Sequence, residues 1–247
     1  MSETLDKSSL VPRPSSITFP PWYGELGWEI MTWVPMLRRQ ARGHDQVVAT
    51  SFAGMGPLYA DFATEFCTHG QPNRSLDYPK RYRIEGDHIR YGDAARALAP
   101  FDLLIHARGI GRKSSINYRR WRELVDLLHR RPWSIGWIGS SNDQVVPGCG
   151  FDLRGRPLQS LMDLIAASRG VVGVSSGVMH LAAACGRDLV VWGDTKTRYW
   201  ETLEQRYKLT WNPHNVAVGW IDADDWQPEP SRIMEEIESM LERKNHE

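Results

Sequence analysis

Cysteine is scarce. Cys67, Cys149 and Cys185 are odd in number, far apart in the chain and without metal-ligand spacing. That excludes a disulfide-stapled fold and fits a reduced, cytoplasmic compartment. An excess of charge of one sign is lacking too: 30 Lys and Arg stand against 30 Asp and Glu, so no global field favours nucleic acid or an anionic membrane. No apolar run approaches the roughly 20 residues a membrane span requires. Residues 1–15 are polar, carry Pro12 and Pro14, and lack the apolar core of a secretion signal, so they read as a flexible lead. No P-loop occurs. The nearest approach to a dinucleotide fingerprint, Gly109-Ile110-Gly111-Arg112-Lys113-Ser114, lacks its third glycine. No His/Cys/carboxylate cluster has metal spacing, and no Asp-x-Asp stands where a metal-dependent GT-A transferase would need one, so the expected metal site is none.

What is present is a 247-residue chain, 41% apolar and 24% charged, enough for one large or two small domains with real cores. Ser16–Pro20 predicts a first strand, Trp22–Gly27 a turn, and Trp28–Ala41 a helix that Pro35 kinks or delays. Gln46–Thr50 predicts a strand, Pro57–Phe66 a short helix, and residues 70–80 a loop. Arg81–Ile84 and His88–Tyr91 read as pairing strands, and Asp93–Pro100 as a linker. From there strands and helices alternate. Strands are expected at 103–106, 134–138, 150–153, 171–174 and 189–192; helices at 118–129, 158–167, 178–185 and 232–243. The alternation implies an α/β protein with doubly wound parallel sheets and a ligand at the strands' carboxyl ends. The expected division is a lead (1–15), a small N-terminal domain (16–98), a ligand-binding domain (99–228) and a C-terminal helix (229–247).

The most informative stretch is residues 173–186, Gly-Val-Ser-Ser-Gly-Val-Met-His-Leu-Ala-Ala-Ala-Cys-Gly. A buried strand turns into a small-residue helix at Ser175, Ser176 and Gly177, and Gly186 caps the far end. A helix N-terminus offers unpaired N–H groups and a positive dipole end, which suits a phosphate. His180 lies one turn in, on the same side. The same pattern also fits any strand–turn–helix unit with a core histidine.

This segment resembles the donor-binding motif of GT-B glycosyltransferases, particularly the family 9 heptosyltransferases, in which such a turn holds the diphosphate of a nucleotide sugar. Leu158–Ser168 is similar to the family's preceding helix, and Asp188–Thr195 to its next strand and Gly-x-Thr loop. The resemblance implies a GT-B-like fold of two Rossmann-like parallel-sheet domains facing a cleft, the N-terminal one reduced. It implies donor contacts from Ser175, Ser176, Gly177, Met179, His180, Gly193, Asp194 and Thr195. Gly139 and Ser140, in Ile138–Asp143, fall where the family seats the nucleoside; a plain surface turn is the other reading. Arg108, Lys113 and Arg119 are the cations expected to stabilise the leaving diphosphate, or else a solvated basic loop. Counting back from Pro35, Glu29 falls where the family's base lies, and Glu25 sits one turn away. Either can deprotonate a hydroxyl, or both merely favour a helix N-terminus.

The implied activity is metal-independent transfer of a sugar from a nucleotide-diphosphate sugar, a co-substrate rather than a cofactor, to a hydroxyl acceptor, most naturally a glycan, with a homo-oligomer conceivable. Two further classes stay open: a catalytically silent nucleotide-sugar-binding module, and a sugar transferase acting on nucleobases in DNA.

Overall fold

The computed structural model describes residues 15–71, 86–109, 117–194 and 202–243. Residues 1–14 of the expected lead, the strand at 81–84, Lys113 and Thr195 lie outside them.

Two parallel sheets form the frame. The smaller has the order β1-β2-β3, built from Ser16–Thr18, Gln46–Phe52 and Glu65–His69. The larger has six strands in the order β6-β5-β4-β7-β8-β9: β4 Leu103–His106, β5 Ile135–Trp137, β6 Phe151–Asp152, β7 Gly170–Val174, β8 Asp188–Gly193 and β9 Val218–Asp222. Every pairing is parallel. The central strands are mostly apolar because both faces are covered, with His106 at the end of β4 and Asp188 at the start of β8 as the polar exceptions. Along β4, Leu103 and Ile105 face one core and Leu104 the other; along β8, Val190 and Trp192 face the first, Leu189 and Val191 the second.

The first core lies under α3 (Trp121–Leu128) and α7 (Pro230–Arg243), whose Ile233, Ile237, Met240 and Leu241 form one stripe. The second lies under α4 (Leu158–Ala167) and α5 (Gly177–Ala184) and continues without a break into the small sheet, taking in Ile30, Met31, Val34, Leu37, Val47 and Ala49. The linker expected at 93–100 is tied down. Asp93 caps a 3₁₀ turn at Ala94–Arg96, and its own N–H donates to the Asp163 carboxylate of α4 at 2.9 Å.

Several elements differ from the sequence expectation. The first helix starts earlier, as α1 (Leu26–Trp28). It widens into a π-turn over Glu29–Trp33, where the Val34 N–H reaches back to the Glu29 carbonyl, before continuing as α2 (Val34–Gln40). Pro35, which has no N–H to give, sits in the first turn of α2, where that lack costs least. The expected helix at 57–66 is only a 3₁₀ turn, Gly56–Leu58, and Glu65 and Phe66 open β3. Pairing to β2 outweighs the weak helical signal there. No strand forms at 88–91, where the Tyr91 N–H donates instead to the last turn of α5 at Ala184.

Candidate functional site

At the carboxyl edge of the large sheet, β7 ends and α5 begins. Ser176 is the N-cap in an extended conformation, its hydroxyl making no capping bond. The Met179 N–H is bonded to the Ser176 carbonyl at 3.1 Å, which leaves the N–H groups of Gly177 and Val178 open at the edge, as the opening turn of a helix does. Gly186 closes the helix in the left-handed region at φ +70°.

Each serine hydroxyl meets a buried partner. Ser175 Oγ lies 3.0 Å from the hydroxyl of Tyr207, which comes from a π-turn at Arg206–Thr210 following α6 (Leu203–Gln205). Burial pushes the Tyr207 hydroxyl above its ordinary pKa against the pull of Ser175, of the Ser176 N–H and of nearby Arg108, so it stays a neutral phenol. Ser176 Oγ lies 2.9 Å from His106 Nδ1, at the end of β4. The other ring nitrogen, Nε2, lies 3.4 Å from Asp143 Oδ2, in the loop after β5.

Asp143 is held as an anion. Its Oδ2 accepts from the Ser140 N–H at 2.7 Å and the Ser140 hydroxyl at 2.9 Å, and its Oδ1 from the Gly109 N–H at 2.6 Å. Burial alone would raise its pKa. The bonds from His106, Gly109 and Ser140 outweigh that and hold the carboxyl well below the usual range. Gly139, at φ +135°, makes this possible: a Cβ there would lie 2.5 Å from Asp143 Oδ2 and 2.9 Å from the His106 ring. Gly139 and Ser140 thus build the Asp143 cradle, to which the Ser140 hydroxyl gives its proton.

Arg108, half-buried two residues beyond His106, faces no neutralising carboxylate among the described residues. Arg119 is exposed at the start of α3, where its N–H donates to Gln227 Oε1 at 2.9 Å.

The N-terminal segment packs directly on this turn. A Cβ on Gly177 would meet Leu26 Cβ at 3.3 Å, and one on Gly27 would meet the His180 ring at 2.5 Å. Gly177 is therefore small because Leu26 rests on it, as well as for any ligand's approach. Glu25, just before Leu26, is exposed beside the turn. Glu29, the position favoured by the count from Pro35, is buried instead. Its Oε1 accepts from the hydroxyls of Ser51 and, at 2.7 Å, Tyr59. Burial pushes its carboxyl above the ordinary value, although Ser51, Tyr59 and His69 pull the other way.

Three further residues expected to contact the donor are packed against neighbouring side chains. Met179 is fully buried with its sulfur against Gly173. His180, only 9% exposed, is stacked on Tyr207 at 5.0 Å and edge-on to Trp211 at 4.6 Å. Burial, helped by Arg206, lowers its pKa to about 3, so the ring is neutral at pH 7. Gly193 is enclosed by Trp220, Trp226 and Leu203, while Asp194 after it is half-exposed at the end of β8. Gly173–Gly177 also has the Gly-x-Ser-x-Gly spacing of a hydrolase elbow, but its middle residue, Ser175, meets a phenol rather than an imidazole.

His106, Asp143 and Tyr207 were not singled out by sequence. The available signal was positional: His106 and Asp143 both follow strands at the edge where α/β sheets bind ligands. Tyr207 had none. Among the described residues no group of three His, Cys, Asp or Glu could hold a metal, and no helix is long and apolar enough to cross a membrane.

Residues 101–219 match the model of glycosyltransferase family 9 (heptosyltransferase). No curated protein matches the chain in sequence. Among solved structures it is similar to E. coli ADP-heptose lps heptosyltransferase II, at 14% identity and TM-score 0.66, covering 94% of this chain and 99% of that one. It is also similar to a family 9 glycosyltransferase from Veillonella parvula, at 11% identity and TM-score 0.61, covering 92% and 97%. A third is TibC of enterotoxigenic E. coli, a dodecameric iron-containing heptosyltransferase solved with ADP-D-beta-D-heptose, at 14% identity and TM-score 0.56, covering 95% and 79%. These likenesses establish the fold as GT-B-like.

Proposed function

We propose that this chain, whose residues 101–219 match the model of glycosyltransferase family 9, moves a sugar from a nucleotide-diphosphate sugar to a hydroxyl acceptor, with Glu25 as base. The observation that carries the reading is one juxtaposition: the N-terminal turn of α5, the Arg108 cation and the exposed Glu25 loop meet at one edge of the large sheet.

The acceptor oxygen attacks the anomeric carbon as its proton passes to the Glu25 carboxylate. The bond from that carbon to the diphosphate oxygen breaks, and its electron pair leaves with the diphosphate. Negative charge then grows where the first-turn N–H groups of α5 and Arg108 face it, with Arg119 as a second cation on the same edge. Fixed positive groups of this kind do the work that a divalent ion does in metal-dependent transferases, so turnover is proposed to need none. Glu29, tied to Ser51 and Tyr59, keeps the loop-bearing helix in place.

The test is calorimetry of ADP, GDP, UDP, CDP and dTDP against wild type and Arg108→Ala, followed by transfer assays using the matching nucleotide sugars in chelator. A micromolar diphosphate whose affinity drops about tenfold or more on losing Arg108, with turnover intact in chelator, is the expected result. Binding that ignores Arg108, or turnover that needs magnesium or manganese, refutes the corresponding part.

A further inference from the structure

We infer that His106 and Asp143 are positioning residues which make diphosphate binding take up a proton, acting through the Ser176 hydroxyl; this rests on the reading of the Ser175–Gly177 turn as the diphosphate site. The argument is one of proton counting along a chain. Asp143 accepts from two backbone N–H groups and a hydroxyl, and it remains an anion. An anion beside His106 Nε2 fixes the ring proton on that nitrogen. Neutral His106 therefore presents a bare lone pair at Nδ1, and the Ser176 hydroxyl, 2.9 Å away, must spend its only proton there. In that state Ser176 Oγ shows the edge nothing but lone pairs, which repel a phosphate oxygen.

Protonating His106 reverses the bond. Nδ1–H then donates to Ser176 Oγ, and the hydroxyl proton is released to donate to the diphosphate. Both ring nitrogens keep partners in this state, one of them the Asp143 carboxylate. The phosphate therefore selects the imidazolium, and by linkage each strengthens the other. The charged and titratable groups around the ring are Asp143 from the loop after β5, Arg108 beyond the end of β4, the N-terminal end of α5, and Tyr207 behind Ser175. Bound diphosphate brings negative charge up against the positive charge of Arg108 and of the helix end. Nothing in this scheme needs a co-reactant: one proton moves from water to His106, and one hydrogen bond changes direction.

The experiment is calorimetric titration of ADP, GDP, UDP, CDP and dTDP near neutral pH, in buffers of differing ionisation heat, comparing wild type with Ser176→Ala and Ser176→Thr. The difference between proteins removes the proton uptake of the nucleotide itself. Wild type and Ser176→Thr should take up more protons than Ser176→Ala, approaching one per site. Wild-type affinity should rise with falling pH by up to about tenfold per pH unit more than the alanine variant's. Ser176→Ala leaves the His106–Asp143 contact in place, so its fold is expected intact; His106→Gln, checked for native melting, should match the alanine variant. Binding with equal proton uptake in all the proteins overturns the relay but leaves the diphosphate site standing. If none of the five diphosphates binds, the reading of the site itself fails and the relay with it.

Discussion

The two N-terminal glutamates are separated by what surrounds them, and substitution should separate them in the laboratory. Glu29 Oε1 is the acceptor for two fully buried hydroxyls, those of Ser51 and Tyr59. Glu29→Ala strands both, at about 1–3 kcal/mol each, and loses packing besides. The sum, about 2–6 kcal/mol, is a large share of the roughly 5–15 kcal/mol that holds a domain folded. Glu29→Gln keeps an oxygen that accepts both bonds, so its melt should stay near that of wild type. The sign of the pH effect follows from burial. The folded protein holds the Glu29 proton more tightly than the unfolded chain does, so this group's contribution falls as pH rises from the ordinary value of 4.5 through the raised folded value. Urea melts at about pH 5 and about pH 8 should therefore show Glu29→Gln gaining on wild type at the higher pH. In transfer assays Glu29→Gln should turn over at close to the wild-type rate. Glu25→Gln should melt normally yet lose on the order of 10²–10⁴-fold in turnover, the usual worth of a positioned base. A Glu29→Gln protein that melts like wild type but has lost its turnover would refute this assignment and return the base to the position counted from Pro35.

Other outcomes follow from the same geometry. Gly139→Ala places a methyl against Asp143 and His106 in a backbone region that disfavours side chains, so it should destabilise by about 1–3 kcal/mol and weaken diphosphate binding; an unchanged melt and unchanged affinity would show that the loop yields freely. His180 is buried neutral with its pKa lowered to about 3 from 6.5, so the unfolded chain takes a proton before the native state does. The stability this ring contributes is present above pH 6.5 and is lost as pH falls toward 3; an NMR titration showing its ring protonated at about pH 6 would contradict that burial. Gly27→Val should clash with the His180 ring and lower the melting temperature by several degrees, as about 1–3 kcal/mol of overpacking does; a melt at the wild-type temperature would mean that the two helices separate easily.

The large sheet was legible because its signals were local. The apolar runs at 103–106, 171–174 and 189–192 read as buried strands and form them, and the helix at 158–167 stands where its periodicity put it. β3 was not legible, since Glu65–His69 reads weakly by itself and becomes a strand only by pairing with β2. β9 was hidden for the same reason, being placed by its register against β8. At the site, the chain showed where the turn and its serines lie. It did not show that Glu29 would be drawn into the core by Ser51 and Tyr59, or that Tyr207 would come from a distant π-turn to meet Ser175. Those are contacts between residues some 20 to 30 positions apart, and no spacing rule records them.

The seam between α1 and α5 bears on how the molecule holds together in time. Leu26 lies on Gly177, Gly27 lies against His180, and the apolar residues of the small sheet continue into those beneath α5. Neither sheet has a complete interior of its own on that side. Three short strands with one helix bury too little to persist alone, so the two halves should melt in one cooperative step rather than two. A nick or truncation between them would release both. The loop bearing Glu25 and the turn bearing Ser176 are therefore held to each other by packing, so under the proposed function the distance between base and diphosphate site is set at folding rather than at binding.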